Sequence, residues 1–208
     1  MTDIQIKLYD FPLSGHAHRI RLALSLMDIP YDLVPVDLAK GDHKSDWFKA
    51  MNPAGQVPVL TDGDTIISES TAILTYLAKK FPAGEWIPTD AAHAAEAEKW
   101  FVAASTALAA GPARARLINV FGAQYDKAET TANAHKFLAV LEAALVGKSY
   151  LVAGRPTFAD VAIYSYVAHA PEGDVSLQNY PFIRVWLARI EALTGFVAMP
   201  KTDTAKAA

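Results

Sequence analysis

Val57-Pro58-Val59-Leu60, the turn pair Asp62-Gly63, Thr65-Ile66-Ile67 and then Ser68-Glu69-Ser70 decide how the first part of this chain is built. A short apolar run, an Asp-Gly turn signal and a β-branched return run predict a β-hairpin. Ile73, Leu74 and Leu77 follow at helical spacing and predict a helix starting near Ser68. Upstream, Ile4, Ile6 and Leu8 alternate with polar neighbours and run into Tyr9 and Phe11, which reads as a strand. Pro12-Leu13-Ser14-Gly15 breaks that pattern. Ala17, Ile20, Ala23, Leu24 and Met27 then recur with helical period, and His18, Arg19, Arg21 and Ser25 fall on the opposite, polar face. Pro30 stops this helix, and Tyr31, Leu33 and Val36 suggest a second strand. The stretch 40–49 is polar, with Trp47 and Phe48 as its expected core anchors. The order β-α-β-(α)-β-β-α predicts a small α/β domain over residues 1–80.

Phe81-Pro82-Ala83-Gly84 and Pro88 mark a linker at about 81–88, after which strand signals vanish. Helices are expected over 91–121, interrupted at Gly111-Pro112, and over 128–146, 157–170 and 181–195. Residues 89–208 therefore read as an all-helical bundle.

The 208 residues are 52 % hydrophobic and 20 % charged, a balance that supports a sizeable core and argues against disorder. Cys is absent, which excludes disulfides, thiolate zinc sites and attack by a thiol of the protein's own. Residues 1–80 carry 8 basic and 10 acidic side chains and the remainder 11 and 12. With no basic block, neither nucleic acid nor an anionic membrane is an expected partner. The first seven residues lack the apolar core of a secretory signal, and no apolar run approaches the ~20 residues that span a bilayer. A cytoplasmic protein is expected.

Five places could carry chemistry. Pro58 within an apolar strand run either marks an edge strand with a trans bond, or has a cis peptide that turns backbone groups outward toward an extended ligand. At Ser68-Glu69-Ser70-Thr71 a helix start offers free amides to a carboxylate, or is simply capped by its own serines. Ser14 sits at another helix start, where its hydroxyl could donate to a bound anion. His16 and His18 are two apart and face different ways. No metal site is therefore expected, with His18 in solvent and His16 at the mouth of a cleft. Gly41-Asp42-His43-Lys44 is a polar turn or, together with Gln56, the cationic end of that cleft. Thr157-Phe158-Ala159-Asp160 has the spacing of a capping box, a structural feature.

Taken together, three segments resemble the glutathione transferases over nearly the whole chain. They are Leu8-Tyr9-Asp10-Phe11-Pro12-Leu13-Ser14 running into the Arg19/Leu22/Leu24 helix; His43-Lys44 through Asn52-Pro53-Ala54-Gly55-Gln56-Val57-Pro58-Val59-Leu60 to Glu69-Ser70-Thr71-Ala72-Ile73; and Tyr150 through the Gly154-Arg155-Pro156-Thr157-Phe158-Ala159-Asp160 run. Ser14 falls at the position of the serine-type classes, and the His-Lys loop looks most like the phi class. The resemblance implies an α/β thioredoxin-like N-terminal domain, an all-α C-terminal helical bundle and a homodimer. It implies that Pro58 is cis and that Val57 offers its backbone to the cysteinyl part of glutathione. Glu69 and Ser70 would hold the γ-glutamyl end, and His43, Lys44 and Gln56 the glycine carboxylate. The stretch 114–118 would face the second substrate.

A borrowed thiol explains thiol chemistry in a chain without Cys. Ser14 is the first expected contact to the sulfur. The loop Ser14-Gly15-His16-Ala17 departs from the usual class patterns, and His16 is the second expected contact. The implied activity is conjugation of glutathione, as co-substrate, to small hydrophobic electrophiles. Glutathione-dependent disulfide or peroxide reduction on the same fold, or a non-catalytic binding protein, are the alternatives.

Overall fold

Ile6, Leu8 and Asp10 are buried while Lys7 between them is exposed, the alternation of a strand with one face in a core. In the computed structural model, which describes residues 6–202, this strand, β1 (Ile6–Asp10), is central. The predicted strand residue Ile4 and the tail beyond 202 lie outside the described residues. β1 pairs in parallel with β2 (Asp32–Pro35) and antiparallel with β3 (Val59–Asp62), which forms a hairpin with β4 (Thr65–Ser68), giving the order β2-β1-β3-β4. The predicted hairpin is present, with Gly63-Asp64 as its two-residue connection. β3 begins at Val59, so Pro58 precedes the ladder and removes no donor from it. The Val57-Pro58 bond is cis.

The register pairs Leu8 with Leu60 and Tyr9 with Val59. Because adjacent side chains alternate faces, Tyr9 and Val59 share one face, where they join Val36 and Phe48 in a cluster that also holds Leu38, Met51 and Val57. Phe48 comes from α2 (Asp46–Met51), whose Ser45 N-cap accepts from the Phe48 N–H. Trp47 is no core anchor: it is half exposed and only borders Tyr9 and the edge of Phe48. Adjacent residues on a helix point in different directions, and α2 buries only one of the two.

α1 (Gly15–Leu26) is capped by Ser14, whose Oγ accepts from Ala17 N–H at 3.2 Å. It ends in a Schellman pattern, Ile29 N–H to Leu24 carbonyl and Asp28 N–H to Ser25 carbonyl. The helix is buried on more than its apolar stripe: His18 and Arg19, expected on a polar face, are both inside. Rather than meeting solvent, His18 donates from Nε2 to the Val197 carbonyl at 2.8 Å. α3 (Ser70–Lys80) packs against α1 and buries Ile73, Leu74 and Leu77. Among the described residues, this first compact unit comprises 6–84 and 194–199. Asp10 is buried and paired with Arg21, which also donates to the Pro12 carbonyl at 2.9 Å.

The second unit, residues 85–193 and 200–202 among those described, is helical: α4 (Ala91–Ser105), α5 (Arg114–Phe121), α6 (Lys127–Ala144), α7 (Phe158–Ala168) and α8 (Pro181–Glu191). Between α4 and α5 the chain forms a short π-helical segment, Ala109–Ala113, at the predicted Gly111-Pro112 break. Pro112 cannot donate to a regular ladder, which favours such a bulge. A Cβ on Gly111 would stand 2.7 Å from backbone atoms of Ala134, so glycine lets α6 cross closely here.

α7 is buried from Phe158 through Val167 and is the core of this unit. The capping box at its start is present: Asp160 accepts from Thr157 N–H, and also from Leu151 N–H and Trp186 Nε1, each at 2.9 Å. Arg116 is buried and bound to Glu172 at 2.6 Å, and Glu172 in turn meets His169 at 2.7 Å and Thr202 Oγ1 at 2.8 Å. Of the stretch 114–118, Ala115 and Arg116 are buried and belong to packing.

Candidate functional site

The loop after α2 is built by Asn52. Its Nδ2 donates to the Gln56 carbonyl at 2.8 Å and its Oδ1 accepts from Ala54 N–H at 3.2 Å, which folds residues 52–56 into a tight turn. Gly55 in that turn has φ +61°, and a Cβ there would lie 2.8 Å from the His43 carbonyl, so the short 3₁₀ turn Asp42–Lys44 packs directly on the loop. The turn delivers Gln56, Val57 and Pro58 to one wall of a cavity.

The opposite wall is the start of α3. Its N-cap, Glu69, takes φ 66°, ψ 117°, an uncommon backbone for a residue with a side chain, and makes no side-chain hydrogen bond to the first turn. Neither Ser68 nor Ser70 caps the helix. Ser70 is buried, and its Oγ accepts from Arg19 Nη1 at 3.1 Å. A helix start without a side-chain cap keeps its partial positive charge available to an anion. A non-glycine residue held at positive φ is a feature often found where a site demands it.

His16 completes the cavity, whose lining is His16, Asn52, Gln56, Val57, Pro58, Glu69 and Ser70. His16 Nδ1 lies 2.8 Å from Arg19 Nη1 and 3.5 Å from Ser70 Oγ. Burial first, and the nearby Arg19 guanidinium second, lower its pKa to about 3, so the ring is neutral at physiological pH.

Of the residues predicted from sequence, the cavity brings together His16, Gln56, Val57, Pro58, Glu69 and Ser70. Ser14, His43 and Lys44 are not among its lining. Ser14 is half-buried as the α1 cap, while the buried Nδ1 of His43 has no hydrogen-bond partner among the described residues. Two contributors carried no role in the sequence reading. Asn52 had a turn signal in its Asn-Pro-x-Gly context, whereas Arg19 had none, since an arginine on a helix ordinarily points to water. Among the described residues no group of three or more His, Cys, Asp or Glu could hold a metal ion, and no helix is long and apolar enough to cross a membrane.

The lining offers a helix start and a serine hydroxyl that could take a carboxylate, the Glu69 carboxylate that could take an ammonium, and the backbone of the Val57 segment that could pair with a peptide. Comparison with known proteins identifies the family. The glutathione S-transferase N-terminal domain model matches residues 8–86 and the glutathione S-transferase C-terminal domain model residues 97–194. Glutathione S-transferase theta-1 of Bos taurus is 33 % identical over 203 residues, 92 % of this chain and 85 % of that one. Glutathione S-transferase Z2 of Arabidopsis thaliana is 45 % identical over 86 residues, so that this chain spans only 39 % of that relative's length (41 % of its own).

Among solved structures, the glutathione S-transferase of Pseudomonas fluorescens superposes with a TM-score of 0.89 at 30 % identity, covering 94 % of this chain and 99 % of that one. A glutathione transferase homologue of Drosophila mojavensis, solved with bound glutathione, gives a TM-score of 0.83 at 25 % identity, covering 91 % of this chain and 89 % of that one. The chain belongs to the glutathione S-transferase family of enzymes. The expected α/β thioredoxin-like and all-α arrangement is that family's fold.

Proposed function

We propose that this chain conjugates the thiolate of glutathione to small hydrophobic electrophiles, with residues 1–80 holding glutathione and residues 89–208 carrying the electrophile's site. The observation that carries this reading is the cavity in which His16, Val57, Glu69 and Ser70 converge. The start of α3 and Ser70 receive the γ-glutamyl carboxylate, Glu69 its ammonium, and Val57 pairs with the cysteinyl backbone. Gln56, His43 and Lys44 hold the glycine carboxylate. The sulfur then lies by the start of α1, whose dipole favours a negative charge.

For the contact to sulfur, the cavity supports His16 over Ser14, because His16 lines it while the Ser14 oxygen is engaged as the helix cap. Ser14 retains a hydroxyl hydrogen and is the second donor. The thiol loses its proton to solvent. The thiolate forms a carbon–sulfur bond, and the leaving group departs with the electron pair of the bond that breaks. Each unit by which the thiol pKa falls corresponds to about 1.4 kcal/mol, within reach of one or two hydrogen bonds. The remainder of the reading is a homodimer acting in the cytoplasm in detoxification.

Retention on immobilised glutathione, followed by turnover of an activated aryl halide, tests the reading. The wild-type chain should be retained and active, with His16→Ala retained but at least about tenfold slower. A chain that neither binds the resin nor turns over the halide contradicts the reading.

A further inference from the structure

Arg19 is 1 % exposed, an expensive position for a permanent charge unless the charge is used. Its Nη1 stands 2.8 Å from His16 Nδ1 and 3.1 Å from Ser70 Oγ, so one guanidinium joins the starts of α1 and α3 at the cavity. A guanidinium has only donors and stays protonated at any pH at which a protein is folded. The lone pair in the contact therefore belongs to Nδ1, and a neutral ring accepting there must carry its single hydrogen on Nε2.

The choice of tautomer decides what His16 can do. A ring with its lone pair on Nε2 would be a base and would repel a thiolate. A ring with hydrogen on Nε2 donates to one. Arg19 stands behind the lining, and the charged group within it is Glu69, at the N-cap of α3. The charged donor at Nδ1 is Arg19.

We propose that Arg19 is a positioning residue: by donating to His16 Nδ1 and Ser70 Oγ, it locks His16 as the neutral Nε2–H tautomer, so that His16 serves as a hydrogen-bond donor to the sulfur and not as its base. The inference rests on the reading of His16 as the sulfur contact, and the two can fail separately.

The test is nitrogen NMR of the full chain labelled with ¹⁵N-histidine, with the His16 resonances assigned from His16→Gln. In the wild type, Nδ1 should give an unprotonated signal and Nε2 a protonated one, unchanged between pH 8 and pH 5. In Arg19→Met the two signals should move toward tautomer averaging, and Arg19→Lys should restore the lock only in part. The glutathione thiol should titrate about one unit higher in Arg19→Met, a roughly tenfold loss of thiolate at fixed pH. Hydrogen on Nδ1 in the wild type overturns the inference, and that measurement needs no variant to fold. An unchanged tautomer in Arg19→Met overturns it too. By contrast, a normal tautomer lock together with full activity in His16→Ala would overturn only the sulfur contact.

Discussion

The carbonyl of His43 sits where the side chain of any residue but glycine at position 55 would have to begin, 2.8 Å from an ideal Cβ. That contact seats the Asp42–Lys44 turn on the loop that presents Gln56 and Val57, so the turn backs the cavity wall from outside its lining. Gly55 also has φ +61°, where a side chain is strained whatever the space.

Gly55→Ala should raise the KM for glutathione severalfold while leaving kcat closer to the wild-type value, because it shifts a binding wall and leaves His16 in place. It should also cost about 1–3 kcal/mol of stability. Steady-state kinetics with varied glutathione, plus urea unfolding, check both.

Asp160 is buried and accepts from Thr157, Leu151 and Trp186. Asp160→Ala strands four donors inside the helical unit, the N–H and Oγ1 of Thr157, the Leu151 N–H and Trp186 Nε1, and should destabilise it by about 3 kcal/mol or more. Thr157→Ala, which keeps the backbone N–H and removes only the Oγ1 donor at 3.0 Å, should cost about 1 kcal/mol. Chemical denaturation of both variants reads the difference.

Trp47 and Phe48 are neighbours with opposite fates. Phe48→Ala empties a fully buried position between Val36 and Val59 and should cost about 3–5 kcal/mol. Trp47→Ala, half exposed, should change stability by less than about 1 kcal/mol. Equal costs would contradict the packing described.

His16 has its pKa lowered from 6.5 to about 3, mainly by burial and then by Arg19. The unfolded chain therefore binds this proton as pH falls below 6.5, while the folded chain does so only near 3. The stability gained from a neutral buried ring is thus complete above about pH 6.5 and is lost as pH drops toward 3. Between pH 7 and pH 5 the wild type should lose up to about 2 kcal/mol relative to His16→Gln. Paired urea titrations at the two pH values check the sign: a wild type that gains on acidification relative to the variant contradicts it.

Much of the fold was legible because its signals are local. Hydrophobic period, Pro30, the Asp62-Gly63 turn and the Gly111-Pro112 break each act within a few residues, and the structure places elements accordingly. The Thr157–Asp160 cap was legible for the same reason. What escaped were consequences of tertiary packing. His18 and Arg19 have polar chemistry that predicts exposure, yet α1 is covered on that side as well, with residues 194–199 accepting from His18. No local pattern announces that a segment some 180 residues away returns to the first unit. Likewise, Trp47 and Phe48 read alike in sequence, and only the direction of α2 separates them. In the candidate site, His16, Gln56, Val57, Pro58, Glu69 and Ser70 were legible as motif residues, while the Arg19 contact depends on two helix starts meeting.

An ultraviolet difference titration of bound glutathione tests the central claim most directly. If this cavity grips the tripeptide and a neutral His16 donates to its sulfur, the thiolate band should rise with a midpoint well below the ordinary thiol value of about 8.5, and in His16→Ala the midpoint should return toward it. A thiol that ionises at the same pH when bound as when free in solution would contradict the account.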